Sequence, residues 1–186
     1  MAKGDLCTLA DVKAFLSITD TNSDALLQTL VTNASKMVNN MTNRNLLAAS
    51  YTETFSGRGG YRQGLTHYPV TGVSSVSVDG TSVPAATGAT GSGYVYDDNF
   101  VYLRGSYSFS RGIMNVSITY TGGYDTVPLD LAQACIEIVA TKFKRRTTLE
   151  VSGKTLNGET ISFVTSDVPS SAKGVIKQYT RRFLNP

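Results

Sequence analysis

VPLDLAQACIEIVATKFKRR, residues 127–146, is the strongest helical segment in this sequence. Pro128 fits the first turn of a helix, because its missing N–H would have no helical partner there. Asp130 lies near the positive end of the helix dipole, and four cations lie near the negative end. At the roughly 100° that a helix turns per residue, apolar side chains cover a wide arc: Leu131, Cys135, Ile136, Ile138, Val139 and Phe143. This arc predicts a central helix that is buried on two sides.

Two further helices are predicted near the N-terminus. Thr8 and Asp11 have the spacing of a capping box. The helix that they begin carries one apolar face, formed by Leu9, Val12, Phe15 and Leu16. Asn22 or Ser23 can cap a longer helix that ends near Arg44. Its apolar positions follow the helical period: Leu26, Leu27, Leu30, Val31, Ala34, Met37, Val38 and Met41.

The hydrophobic period becomes alternating between residues 49 and 126, which is typical of strands. Asp79-Gly80 is the strongest short hairpin signal, and Asp97-Asp98-Asn99 marks a second hairpin. Pro84–Gly93 is predicted to be a loop. The predicted extended segments are 51–55, 61–70, 73–78, 82–83, 94–96, 100–103 and 115–121.

Residues 150–164 predict a polar hairpin arm that turns near Asn157-Gly158. Ser170 or Ser171 can cap a final helix. This helix carries apolar Val175, Ile176, Tyr179 and Phe183, and basic Lys173, Lys177, Arg181 and Arg182.

Together these segments predict an α+β fold. A small α-helical bundle would combine the two N-terminal helices with the central and C-terminal helices. It would carry an inserted antiparallel β subdomain and a protruding hairpin arm. The predicted boundaries are 1–48 for the N-terminal helices, 49–126 for the β subdomain, 127–147 for the central helix, 148–169 for the arm and 170–186 for the basic C-terminal helix and tail.

The composition is that of a globular chain with an uneven charge. Its 186 residues are enough to bury a core. Residues 127–186 hold nine cations against five acids, whereas the rest of the chain is close to neutral. Cys7 and Cys135 are expected to be small buried hydrophobes, since two cysteines make no disulfide framework. No signal peptide or membrane span is expected, because no window approaches the roughly 18 apolar residues of a span.

The spacing of titratable residues indicates no catalytic site. His67 is the single histidine, and the spacing suggests neither a nucleophile nor a carboxylate to complete a triad with it. His67 is therefore interpreted as a structural or surface residue. Asp97 and Asp98 are interpreted as turn residues, because strand neighbours point to opposite faces. Ser56–Gly60 is glycine-rich but lacks the lysine and helix of a phosphate loop. The sequence therefore predicts neither an enzyme nor a metal or cofactor site.

The basic end of the central helix allows two interpretations. Lys142, Lys144, Arg145 and Arg146 can be solvated partners of the helix dipole, or they can contact a polyanion. The arm and the basic C-terminal helix are poor at burying their own surface, so a neighbouring molecule is expected to complete them. In a ring, each arm would meet the next subunit head to tail. The alternative is a flexible hairpin and tail.

Several segments together resemble the head–tail connector proteins (adaptor, or head-completion, proteins) of tailed bacteriophages. The first two helices of that family are matched by Leu9–Leu16 (LADVKAFL) and Ser23–Val31 (SDALLQTLV), and the end of its second helix by Asn43-Arg44. Its segment that leads into a strand and an Asp-Gly turn is similar to Tyr68-Pro69-Val70 with Val73–Gly80. Its strand-to-helix junction is similar to Tyr120–Tyr124 with Val127–Leu131 and Ala134. The resemblance covers residues 8–146.

The resemblance implies a structural protein without catalysis or a cofactor. Members typically form a ring, commonly dodecameric, that docks under the portal protein at the capsid vertex. The ring offers a platform to a stopper or tail protein, and double-stranded DNA passes through its centre. A location at the head–tail interface of the virion follows, with assembly in the host cytoplasm and no membrane partner. Residues 51–124 would be a large β insertion into a helical core.

Three sets of residues are candidates for contacts in such an assembly. The predicted portal interface is Lys173, Lys177, Arg181, Arg182 and Phe183. The arm residues that would bridge subunits or line the channel are Lys154, Asn157, Glu159 and Phe163. Non-specific contact with DNA, through phosphate charge alone, is predicted for Lys142, Lys144, Arg145 and Arg146.

Three other functions stay open at this point. A tail-side joining protein, such as a tail terminator, would bind the tail tube rather than the portal. A carbohydrate- or surface-binding module is suggested by the tyrosines of the β region, Tyr94, Tyr96, Tyr102 and Tyr107. An enzyme would need a site built from scattered residues.

Overall fold

The computed structural model describes residues 4–146, 153–156, 159–162 and 168–180. The helices are α1 (Leu9–Leu16), α2 (Asp24–Thr42), α3 (Leu129–Arg145) and α4 (Ser170–Gln178). The strands are β1 (Ala49–Phe55), β2 (Arg62–Gly64), β3 (Val70–Val78), β4 (Thr81–Val83), β5 (Gly93–Tyr96), β6 (Phe100–Arg104), β7 (Val116–Gly122), β8 (Gly153–Leu156) and β9 (Glu159–Ser162). All strand pairs within the sheets are antiparallel, and the predicted α+β class is confirmed.

The capping box predicted at the start of α1 is present. The Asp11 N–H donates to Thr8 Oγ1 (3.0 Å) and the Thr8 N–H donates to Asp11 Oδ2 (3.2 Å). Both bonds satisfy backbone donors that a helix start leaves without partners. Phe15, however, is 49% exposed rather than part of a buried face.

Helix α3 is buried along most of its length, as its wide apolar arc predicts. Its buried residues are Leu131, Ala134, Cys135, Ile136, Ile138, Val139, Ala140 and Phe143. It packs against α1, α2 and α4, so it is the central element of the helical part of the chain.

Two helices begin directly after a Val-Pro pair, and both starts differ from the prediction. Pro128 is the N-cap of α3 rather than part of its first turn, and Pro169 is the N-cap of α4 in place of Ser170 or Ser171. Each proline has an extended ψ, and its C=O accepts the first helical bond, from Ala132 N–H (2.9 Å) or Lys173 N–H (3.0 Å). A residue before proline is held out of the helical region, so neither helix can extend backwards.

The β region contains a four-stranded sheet in the order β1-β7-β3-β4 and a three-stranded sheet in the order β2-β6-β5. Its core includes the buried side chains of Val76, Val101, Phe109, Val116, Ile118 and Tyr120. The hairpins predicted at Asp79-Gly80 and at Asp97–Asn99 join β3 to β4 and β5 to β6. The predicted segment 61–70 is shorter in the structure, where β2 holds only three residues.

The chain divides into two compact units. Among the described residues, the helical unit combines residues 4–44 with those from 127 to 180, and the β unit is residues 45–126. Strands β8 and β9 pair with each other, from Gly153↔Ser162 to Leu156↔Glu159. No helix within the described part of the chain is long and apolar enough to cross a bilayer.

Candidate functional site

The helical unit places the predicted basic residues on two neighbouring helices. In α4, Ala172 and Ile176 are buried whereas Lys173 and Lys177 are exposed, one position further along the helix. Because of this one-residue offset, both lysines face outward, while the opposite side of the helix packs against the rest of the bundle. The two lysines are therefore accessible on the surface, as a predicted portal contact requires.

Two side-chain bonds hold α4 along α3. Tyr179 Oη donates to Asp130 Oδ1 (2.7 Å), and Ser171 Oγ donates to Glu137 Oε2 (2.6 Å). Val168 is also buried beside this helix. The expectation that the C-terminal helix is poor at burying its own surface is therefore wrong for residues 168–180, which pack on the bundle. Tyr179 follows the last residue of α4 instead of extending its apolar face.

One basic residue at the C-terminal end of α3 makes contacts within its own helix. Arg146 Nη1 donates to the Phe143 carbonyl (2.7 Å), and the guanidinium carbon lies 3.8 Å from the centre of the Phe143 ring. This geometry favours the dipole-partner interpretation for Arg146. Lys144 is exposed, and Lys142 and Arg145 are half-buried.

The remaining predicted contact residues are not tested by the structure. Lys154 and Glu159 belong to β8 and β9 by their backbone. Five residues lie outside the described part of the chain: Asn157, Phe163, Arg181, Arg182 and Phe183. Their roles stay predictions.

Tyr120 is the centre of a polar cluster in the β unit that the spacing of the sequence does not reveal. Its hydroxyl donates to Glu53 Oε2 (2.7 Å) and accepts from the His67 N–H (3.0 Å). The His67 ring stacks on Tyr51, with ring centres 3.6 Å apart, and its Nε2 lies 3.7 Å from Glu53 Oε1. The spacing of the sequence gives no sign of this carboxylate, because Glu53 and His67 are brought together by the fold.

The contacts of this cluster indicate a structural role rather than a catalytic one. Tyr120 is fully buried, and burial, followed by the hydrogen bond to Glu53, raises the pKa of its hydroxyl above the ordinary tyrosine value. A hydroxyl that holds its proton this firmly is a poor nucleophile. Within the described residues, no group of three or more His, Cys, Asp or Glu side chains could hold a metal ion.

A loop before β7 presents two exposed apolar side chains. Ile113 is 90% exposed and Met114, which has a φ of 52°, is 61% exposed. The loop is held by hydrogen bonds on both sides. Met114 N–H donates to Ser56 Oγ (3.1 Å), and Gly57 N–H donates to Asn115 Oδ1 (2.9 Å). A fixed loop with an apolar tip has the properties of a contact surface.

The tyrosines of the β region do not form an exposed platform for a ligand. Tyr94 is buried and donates to the Val73 carbonyl (3.1 Å), and Tyr102 donates to Asp97 Oδ2 (2.8 Å). Tyr107 packs against the core, and Tyr96 is exposed. Asp97 also accepts from two turn N–H groups, so its predicted role as a turn residue is confirmed. This distribution does not support the carbohydrate-binding alternative.

Both cysteines are buried in the helical unit and lie close together. Cys135 Sγ is 3.7 Å from Ser35 Oγ, and the same hydroxyl oxygen accepts the N–H of Leu6, the residue before Cys7. A contact with the Cys135 thiol, and then burial, raise the pKa of Cys7 above the ordinary thiol value. The expectation that each is a small buried residue is confirmed.

Comparison with known proteins finds one matching family model. A family model described as "Head completion protein" matches residues 5–183. No curated protein matches the chain by sequence.

Several solved structures share the fold. One is a chain from the neck of an empty GTA particle computed with C6 symmetry, with 20% identity and a TM-score of 0.61. Another is from the virion of a native gene transfer agent (GTA) particle, with 18% identity and a TM-score of 0.60. A third is from the neck of a native GTA particle computed with C12 symmetry, with 19% identity and a TM-score of 0.59. Each alignment covers 100% of this chain and 95% of the other.

Proposed function

Because this chain belongs to the head completion protein family, we propose that it is a structural virion protein that joins the portal vertex of the capsid to a stopper or tail protein. The membership confirms the resemblance predicted from the sequence. The observation that carries the proposal is the extent of the match, over residues 5–183, which includes the helical and the β units. A match of this extent cannot come from one shared motif.

The proposed assembly is a ring, predicted to be dodecameric, with DNA passing through its centre. The similar chains come from particles whose necks were computed with C6 or C12 symmetry, which supports a ring. A channel for passing DNA is expected to bind it weakly, without sequence preference, and less strongly as salt rises. Lys144 and Arg146 are the exposed basic side chains at the described end of α3, and both can make such contact.

The C-terminal segment is proposed to dock on the portal. Lys173 and Lys177 are the described side chains that support this role, because they face outward on α4 while Ala172 and Ile176 anchor it. Deleting 170–186 would remove these anchors too, so charge reversal is the sharper test. Lys173→Glu with Lys177→Glu should weaken binding to purified portal by about tenfold or more. Lys36→Glu, an exposed lysine on α2, is the matched control and should bind normally.

Imaging by negative stain, of the purified protein alone and mixed with portal, tests the whole proposal. The expected images show a ring by itself and a ring seated on the portal. Co-sedimentation with tail tube and not with portal would overturn the proposal in favour of a tail-side joining protein. Portal binding that is identical for the parent and the double lysine variant would remove α4 from the interface.

A further inference from the structure

Strand β1 is a long open edge of the four-stranded sheet. It has seven residues, whereas β4 at the opposite edge has three. The β1–β7 ladder runs without a break from Ala49↔Gly122 to Phe55↔Val116. In the part of the chain that the structure describes, the backbone of β1 pairs with β7 alone. Every second residue of β1 therefore directs its N–H and C=O away from the sheet.

This edge lacks four features that commonly keep a sheet edge from pairing with another strand: short length, proline, a bulge and an outward charge. β1 spans about 23 Å at strand spacing, and it contains neither proline nor a bulge. Its one charged residue, Glu53, is half-buried and bonded to the Tyr120 hydroxyl. Its exposed face carries Ser50, Thr52 and Thr54.

The hairpin β8–β9 would be stabilised by a third strand, which an open sheet edge can supply. It forms a separate two-stranded sheet that joins neither of the larger sheets among the described residues. A two-stranded hairpin is marginally stable by itself, and a third strand stabilises it. Its strands have four residues each, so either of them fits within the seven residues of β1. Their sequences, GKTL and ETIS, are as polar as the exposed face of β1.

We propose that the β1 edge of one subunit binds the β8–β9 hairpin of a second copy of this chain, so that a continuous antiparallel sheet crosses the subunit boundary. The donor and the acceptor are different surfaces of the same chain. Such a contact is heterologous, repeats head to tail and closes into a ring when the rotation allows. The inference rests on the proposed ring assembly and names the backbone contact that would hold neighbouring subunits together.

Disulfide trapping between two singly substituted proteins tests the contact. Neighbouring strands lie about 4.8 Å apart, which suits the Cα separation of a disulfide. Thr52→Cys protein is mixed with Thr155→Cys or Thr160→Cys protein and oxidised with copper phenanthroline. The expected product is a mixed dimer. Ser82→Cys on β4, at the opposite edge of the same sheet, is the matched control and should give no product.

Hydrogen exchange of the parent protein gives a second readout. Amides of β1 that point away from β7 should exchange at least about tenfold more slowly in rings than in free subunits, because they gain a backbone acceptor. A chain in which Gly-Ser-Gly replaces residues 153–162 should lose this protection.

The outcomes separate this inference from the proposed function. Rings that seat on portal while β1 stays unprotected, or give no mixed dimer, would overturn the inference and leave the function standing. Thr52→Cys protein that crosslinks only to itself would show a symmetric β1–β1 contact. A chain carrying both cysteines that crosslinks only internally would place the hairpin on its own β1 edge. Each of these results overturns the inference, and a parent protein that forms no ring overturns both proposals.

Discussion

At the scale of single residues, the Tyr120 hydroxyl links three parts of the β unit. It joins β7 to Glu53 on β1 and to the backbone of His67. Alternation along β7 predicts that Tyr120 shares one face with Val116 and Ile118; this is confirmed, and that face is buried. The partners of its hydroxyl could not be predicted, because they lie far away in sequence and depend on how the strands pair.

We expect Tyr120→Phe to lower the free energy of unfolding by about 1–3 kcal/mol, because it removes the hydroxyl that accepts the half-buried His67 N–H and donates to Glu53. Urea unfolding measures the change. Tyr102→Phe is the control, since it also removes a hydroxyl that donates to a carboxylate, but at an exposed turn. Its cost should stay below about 0.5 kcal/mol. Equal losses in the two variants would contradict the assigned role of the cluster.

The two buried thiols should be unreactive in the folded protein. Cys7 is 2% exposed and Cys135 is 0% exposed, and the raised pKa of Cys7 further lowers its thiolate fraction. An aromatic disulfide reagent at neutral pH should label neither cysteine until denaturant is added. Ser82→Cys, at an exposed position of β4, supplies an accessible thiol as the positive control. Rapid labelling of either native cysteine under native conditions would show that this core opens easily.

Asp79 is expected to contribute to the pH dependence of stability. Hydrogen bonds from the Ser110 hydroxyl and then from the Asn115 amide lower the pKa of its carboxyl. A group with a lowered folded-state pKa stabilises the fold above its unfolded pKa, and this contribution is lost as the pH falls through the folded pKa. Asp79→Asn should therefore lose less stability than the parent between about pH 5 and pH 3.

The same prediction can be checked at the carboxyl group itself. Ser110→Ala removes the larger of the two causes, so it should move the pKa of Asp79 up, toward the ordinary aspartate value. A carbon-detected NMR titration measures this shift. An unchanged pKa in the variant would mean that the hydroxyl does not act on this carboxylate.

At the scale of the elements, local signals predict most of the chain correctly. The capping box, the Asp-Gly hairpin and the apolar arc of α3 depend on neighbours within a few residues, and each is present. The predicted starts of α3 and α4 are wrong by one or two residues, because Pro128 and Pro169 keep an extended ψ and cap the helices themselves. The burial of α4 could not be predicted, because its contacts with Asp130 and Glu137 lie in another helix.

The capping box gives a prediction of its own. Thr8→Ala should lower the free energy of unfolding by about 1 kcal/mol, since it removes the oxygen that accepts the Asp11 N–H. Thr29→Ala, at an exposed position inside α2, is the matched control. It should be neutral or stabilising by up to about 0.7 kcal/mol, because alanine is the better helix former. Thermal unfolding of both variants at one pH makes the comparison.

At the scale of the whole molecule, the β unit should fold without the rest of the chain. Its core side chains all lie within residues 45–126. Its two ends meet, because Leu47 bridges to Tyr124 and the Ala48 N–H donates to the Tyr124 carbonyl (3.0 Å). The fragment 45–126 should therefore unfold cooperatively in urea, with a near-ultraviolet circular dichroism spectrum of ordered tyrosines.

A shorter fragment is the control for this prediction. Residues 45–115 lack β7, the strand that pairs with both β1 and β3. This fragment should show no cooperative transition. A non-cooperative 45–126 fragment would mean that the β unit needs the helices to be stable.

The order of the strands in the four-stranded sheet could not be predicted from the sequence. Alternation identifies β1, β3 and β7 as strands, but it does not state that β7 lies between the other two. That order places β1 at an edge, and a pattern confined to one strand carries no information about its neighbours. The sequence predicts that the arm contacts a neighbouring subunit. It does not identify the surface of that subunit that receives the arm.

The meeting of Leu47 and Tyr124 has a genetic consequence. The chain enters and leaves the β unit at almost the same point, so a stretch of DNA that encodes residues 45–126 can be gained or lost in one recombination event. Chains with and without these strands are then a single step apart, and exchange of this cassette would alter the β surface while the helical part is inherited unchanged.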